Sequence, residues 1–136
     1  MAESKQRKAK YRRILLKLSG EAFHARDRHL SIDPTTVDTI ARQIENISRM
    51  GVQIALVVGG GNIFRGVSGQ ARGIDRSSGD YMGMLATCIN ALALQNALER
   101  RGLATRVQTA IGMRPVAERL VLRLARRHLA EGRVVS

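Results

Sequence analysis

The chain has no tryptophan, and aromatic residues make up only 3% of its 136 positions. Aliphatic side chains must therefore fill the core, and an apolar fraction of 44% is enough to build one. With aromatics this scarce, nothing interleaves with the basic residues to support base stacking, so nucleic acid is a poor candidate partner. The single cysteine, Cys88, excludes an intramolecular disulfide and fits a reducing compartment. It reads as a small apolar packing residue. His24, His29 and His128 share no metal-ligand spacing with one another or with Cys88, which argues against a metal held by His or Cys. No Ser/His/Asp arrangement, internal repeat or low-complexity tract is evident. No apolar run approaches the ~20 residues that span a bilayer. No apolar segment follows the basic N-terminus, so it is not a secretory signal. The cytoplasm is the expected location.

Acidic residues are also few: 11 against 23 Lys and Arg, for a net charge of +12. A pI near 11.5 points to anionic partners, whether nucleotides, nucleic acid or an acidic surface. The excess is concentrated in two places, residues 1–13 and 114–133. The second includes Arg119, Arg123 and Arg127, spaced as one stripe of a helix. That stripe reads as a solvated face, a subunit contact or an effector site. Both clusters lie outside the glycine-rich segments, so the high pI says little about those.

Residues 1–10 are polar and expected to be disordered. A strand is predicted from Tyr11 to Leu18, then a loop or short irregular excursion over 20–32. A helix follows, with Asp33 as cap, Pro34 at the first position, and Val37, Ile40, Ile44 and Ile47 along one face; Gly51 ends it. Val52 to Val58 is nearly all apolar, as in a strand buried on both faces. A long helix is predicted from about Ser78 to Arg101, a strand from Thr105 to Ala110, a helix over 114–130, and a final strand at 133–135. The order β-α-β-α-β-α-β predicts an α/β fold, a mostly parallel sheet with helices on both faces.

Two glycine-rich turns follow the first two strands: Lys17-Leu18-Ser19-Gly20 and Gly59-Gly60-Gly61-Asn62-Ile63-Phe64-Arg65-Gly66. Glycine lets backbone N–H groups crowd an anion, because no Cβ blocks the approach. The second turn fails the dinucleotide fingerprint, since Phe64 stands where the third glycine belongs. It fails the P-loop pattern too, with Val67 at the lysine position. What remains is a strand ending in three glycines with an arginine four residues on. That is either an anion cradle with a multidentate phosphate donor or a tight turn with a surface arginine. Lys17 can neutralise a transferring phosphoryl group or simply snorkel from an edge. Asp80 can accept from a ribose hydroxyl or serve only as a helix-start carboxylate.

Three segments together resemble one family. They are Tyr11 to Ala22, Gly59 to Gly66, and Gly79-Asp80-Tyr81-Met82-Gly83-Met84-Leu85-Ala86-Thr87. In this order and spacing they are similar to the signatures of bacterial-type UMP kinases in the amino-acid kinase family. The Asn62-Phe64-Arg65 continuation sets these apart from acetylglutamate kinase and aspartokinase. The resemblance covers residues 11–136 and implies the amino-acid kinase fold, with MgATP and UMP converted to ADP and UDP. By match, Lys17, Leu18, Ser19 and Gly20 contact the ATP phosphates, with Gly61 and Arg65 near them. Gly60 contacts the UMP phosphate and Asp80 its nucleoside; Lys17 and Arg65 are the catalytic pair. Mg²⁺ comes with ATP, and no protein metal ligand is assigned. The family further implies a hexamer, often activated by GTP and inhibited by UTP.

Family members continue past the strand at 133–136 into a glycine-threonine-glycine-asparagine-proline segment, a threonine-threonine-aspartate motif and the adenine-binding half. Residues 11–136 are thus expected to be the N-terminal, UMP-binding part of a domain incomplete at its C-terminal end. The chain alone is expected to turn UMP over poorly, and to leave an unpaired sheet edge and exposed apolar surface. The rival readings are a family member acting on a carboxylate or carbamate, a basic nucleic-acid-binding module, and a half-domain that associates with a complete kinase.

Overall fold

The computed structural model describes residues 8–24, 31–64 and 72–136. Four parallel strands form the main sheet in the order β1 (Arg13–Leu18), β2 (Gln53–Val58), β6 (Val134–Val135), β3 (Thr105–Arg106). β1 and β2 pair over their whole length, from Arg13 opposite Gln53 to Leu18 opposite Val58. The two glycine turns therefore leave the sheet side by side, at the carboxyl ends of adjacent strands. This is where parallel α/β sheets place their ligands.

α1 (Pro34–Arg49) and α2 (Arg76–Arg100) pack on one face of the sheet. Ile14, Leu16 and Leu18 of β1 and Ile54, Leu56 and Val58 of β2 point into this layer, as the two-residue period of a strand requires. They meet Val37, Ala41 and Ile44 of α1 and Leu94, Ala97 and Leu98 of α2. Phe23, from a short 3-10 helix (Gly20–Phe23), is fully buried among them. Burying each such large side chain stabilises the fold by about 1.5–3 kcal/mol. Asp33 caps α1 as expected, accepting from the Thr35 and Thr36 N–H groups and the Thr36 hydroxyl. The Thr36 hydrogen bond, above all, holds its carboxyl below the usual range. At the far end, Arg101 bridges the two helices, donating to Asp38 at 3.0 Å and Glu45 at 2.9 Å.

α3 (Leu122–Ala130) lies over the other face, against β6 and β2. It covers only part of it: Leu15 and Val57 remain 67% and 48% exposed. Ala125, Leu15, Ala55, Val57 and Val135 line a cavity of about 300 Å³ there. Among the described residues β1 and β3 are the free edges of the sheet. No helix among them is long and apolar enough to cross a membrane.

Several expectations are corrected. The helix expected over 114–130 is confined to Leu122–Ala130. Ahead of it the Glu118 and Leu120 N–H groups bond to the Val107 and Thr109 carbonyls. Glu118–Arg119 thus becomes β5, paired in parallel with β4 (Gln108–Thr109) in a separate small sheet. Arg119 is therefore off the helix, and the arginine stripe shrinks to Arg123 and Arg127. The strand expected over 105–110 is divided at Val107: the Arg106 carbonyl and Gln108 N–H still bond to Ser136, next after β6, while the Val107 and Thr109 carbonyls take the Glu118 and Leu120 N–H groups. α2 starts two residues earlier than expected, capped by Asp75 through the Ser78 N–H. Of the expected disordered tail, residues 1–7 lie outside the described residues, and Lys8–Lys10 have no regular structure.

Candidate functional site

The first turn opens where β1 ends. Lys17 is exposed in the last two positions of the strand, opposite Val57. The Leu18 carbonyl accepts from the Gly59 N–H at 2.8 Å, which locks the start of the second turn to the end of the first strand. Ser19 is exposed and extended at the head of the 3-10 helix; its side chain makes no capping bond.

The two turns then touch. A Cβ on Gly20 would lie 2.4 Å from the Gly61 nitrogen, 2.7 Å from Asn62 Oδ1 and 2.9 Å from the Gly60 carbonyl carbon. No side chain fits there unless backbone moves. A Cβ on Gly60 would lie 2.8 Å from both the Ala86 Cβ and the Thr87 nitrogen of α2. Gly20 thus seats the first turn on the second, and Gly60 seats the second on α2. The Gly60 carbonyl accepts from the Ile63 and Phe64 N–H groups, closing the turn.

Sequence reasoning passed over what holds this assembly. Asn90, fully buried in α2, donates from Nδ2 to the Gly59 carbonyl at 2.8 Å and to Asn62 Oδ1 at 2.6 Å. Asn62 donates back to Asn90 Oδ1 at 3.2 Å and to the Ser31 carbonyl at 2.8 Å. Each amide faces a backbone carbonyl, which can only accept, so both orientations are fixed by chemistry. The available signal was a single asparagine inside an otherwise apolar helix face.

Asp80 does not start α2. Asp75 occupies the cap, and the Ser78 hydrogen bonds hold its carboxyl below the usual range. Asp80 lies in the second turn, its side chain 58% exposed, 3.5 Å from Arg76. The helix-start explanation for this carboxylate is therefore removed. Arg65, the expected arginine partner, lies outside the described residues. Lys17, Ser19, Gly20, Gly60 and Gly61 are brought to one end of the sheet, and α2 carries Asp80 two turns beyond its contact with Gly60. Cys88, read as a packing residue, is buried, with its Sγ 3.5 Å from the Thr109 hydroxyl.

Comparison with known proteins gives the same direction. The amino acid kinase family model matches residues 12–135. A uridylate kinase from Paramagnetospirillum magneticum is 55% identical over 127 residues, spanning 93% of this chain and 52% of that protein. The UMP kinase structure from Bacillus anthracis superimposes with a TM-score of 0.85 at 38% identity, covering 92% of this chain and 51% of that one. The Ureaplasma parvum UMP kinase gives 0.84 at 35%, covering 91% and 54%. The chain thus spans about half the length of the relatives it matches. The family resemblance seen in three short segments extends over nearly the whole sequence, and the chain belongs to the amino acid kinase family.

Proposed function

We propose that this protein transfers a phosphoryl group from MgATP to UMP, and that residues 11–136 correspond to the N-terminal, acceptor-nucleotide half of the enzyme. The observation that carries the reading is that the carboxyl ends of the paired strands β1 and β2 set both turns side by side, with exposed Lys17 beside them and the exposed carboxylate of Asp80 above on α2. The uridylate and UMP kinase relatives favour UMP over other acceptors.

In this reading an oxygen of the UMP phosphate attacks the γ-phosphorus of ATP. The new O–P bond forms as the bond to the β,γ-bridging oxygen breaks, and ADP leaves with that electron pair. Positioning and charge neutralisation carry such a step. Gly60 presents backbone to the UMP phosphate, and Asp80 accepts from the nucleoside. Lys17, Leu18, Ser19, Gly20 and Gly61 form the ATP-phosphate side, with Lys17 neutralising the moving group. Arg65 takes its role between the two phosphates from the resemblance alone. Mg²⁺ enters with the ATP phosphates and supplies further neutralisation; among the described residues no three His, Cys, Asp or Glu groups stand together to hold it.

Homo-oligomerisation fits the apolar face that α2 leaves exposed, where Tyr81, Leu85 and Ile89 follow at four-residue spacing. A GTP or UTP effector fits the cationic lining that Arg106, Arg114 and Arg119 give to a cavity of about 670 Å³. The free thiol of Cys88 fits the cytoplasm.

Calorimetric titration of the chain with UMP, CMP, glutamate and aspartate tests the acceptor assignment. UMP is expected to bind preferentially, and Asp80→Asn to weaken it about tenfold, as a charge-assisted hydrogen bond becomes a neutral one. Equal or tighter binding of an amino acid would refute the reading.

A further inference from the structure

The glycines of the site separate into two kinds. Gly20, Gly59 and Gly60 are explained by the chain itself, since a Cβ at each would come within 2.4–3.0 Å of neighbouring backbone or side chain. Gly83 is not. It lies inside α2, where glycine is the least favourable residue after proline. Its backbone is not left-handed. A Cβ there would meet nothing within 4 Å among the described residues.

Its position on the helix is informative. Gly79, Gly83, Ala86, Asn90, Leu94 and Ala97 follow at three- and four-residue steps and form one face of α2. All but Gly83 are buried. Down this face, Leu94 and Ala97 sit in the core, Asn90 holds the Gly59 carbonyl, and Ala86 and Thr87 bear on Gly60. The next turn up, about 5 Å along the axis, is Gly83. Asp80 stands beyond it, exposed. Among the described residues, the inward side of the helix thus continues past the glycine turns and presents bare backbone at Gly83, between the Gly60 turn and the Asp80 carboxylate.

We propose that Gly83 is the floor of the acceptor-nucleotide site, its missing side chain letting the ribose of a nucleoside 5′-monophosphate lie against α2 between the Gly60 turn and Asp80. The inference rests on the phosphoryl-transfer reading above and adds to it a residue that sets which acceptors fit. Any side chain at 83 shortens the gap that the sugar must occupy, whereas inorganic phosphate at the Gly60 turn is untouched by it.

Gly83→Ala separates this role from a structural one, because the two predict opposite combinations. The gain in helix propensity raises Tm by about 2–5 °C. The added methyl weakens UMP binding at least tenfold in calorimetric titration. Asn96→Ala, on the exposed side of the same helix, is the control for propensity and leaves UMP affinity unchanged. If wild type binds UMP and Gly83→Ala binds within twofold of it, the inference is overturned while the phosphoryl-transfer reading stands. A lower Tm for Gly83→Ala also overturns it, since the space then belongs to the chain. If wild type shows no UMP binding, both the inference and the reading fall, and the wild-type arm alone shows this.

Discussion

Removal of the buried amide pair should unseat the second glycine turn, and the cost follows from the bonds it makes. Asn90→Ala leaves the Gly59 carbonyl without its donor at 2.8 Å and Asn62 Oδ1 without its donor at 2.6 Å. Each lost bond costs about 1 kcal/mol, rising towards about 3 kcal/mol where the orphaned group stays dry. Gly59 and Asn62 are half-buried, so water reaches them and the lower end applies. Adding the packing lost at a fully buried position gives about 3 kcal/mol for Asn90→Ala. Asn62→Ala leaves Asn90 bonded to Gly59 but orphans its Oδ1, for about 2 kcal/mol. The double variant loses the shared bonds only once, so the single costs should overshoot the double by about 1 kcal/mol. Urea unfolding at constant m-value measures all three. Additivity within about 0.5 kcal/mol would show that the two amides do not act as a pair, and would refute the reasoning.

Two further expectations concern the frame. Gly20→Ala drives a methyl into backbone of the second turn and should cost about 3 kcal/mol; Gly112→Ala, where a Cβ meets nothing within 4 Å, should stay within about 0.5 kcal/mol in the same denaturation assay. Glu45 has its folded pKa lowered, chiefly by the Arg101 hydrogen bond and then by Arg49, against an opposing effect of burial. Its contribution is therefore fully present above the ordinary glutamate range and is lost as pH falls through the lowered folded value. Glu45→Gln should be less stable than wild type at pH 7, and the gap should close in thermal melts taken from about pH 5 downwards. A gap that stays constant to pH 2.5 removes the Arg101 bridge as its cause.

The local elements were legible where chemistry is local. Asp33-Pro34 announced the start of α1, and the apolar run ending at Val58 announced β2, because capping and burial on both faces leave their mark on adjacent residues. The failures lie where distant partners decide. Nothing near Glu118 says that its N–H will meet the Val107 carbonyl rather than continue a helix, and nothing near Gln108 says that the strand will change sheets. Asp80 shows the same in the other direction. Beside Gly79 it reads as a helix start, whereas Asp75 holds that position. Asn90 leaves no mark on helical spacing, which counts apolar residues, because its work is to hold a turn 31 positions away.

The glycines argue a sharper point about reading function from sequence. A glycine-rich turn after a strand suggests an anion cradle, yet Gly20 and Gly60 would be required here even if no anion ever bound, because backbone fills the space beside them. Their presence is therefore weaker evidence for a ligand than the pattern suggests. Better evidence for a ligand comes from a glycine that the described residues do not require. Gly83 weakens its own helix, faces the inward side of α2 and touches none of the described residues where a side chain would go. That leaves something outside the described residues to account for it, and the cradle on one side and the carboxylate on the other favour a phosphorylated sugar.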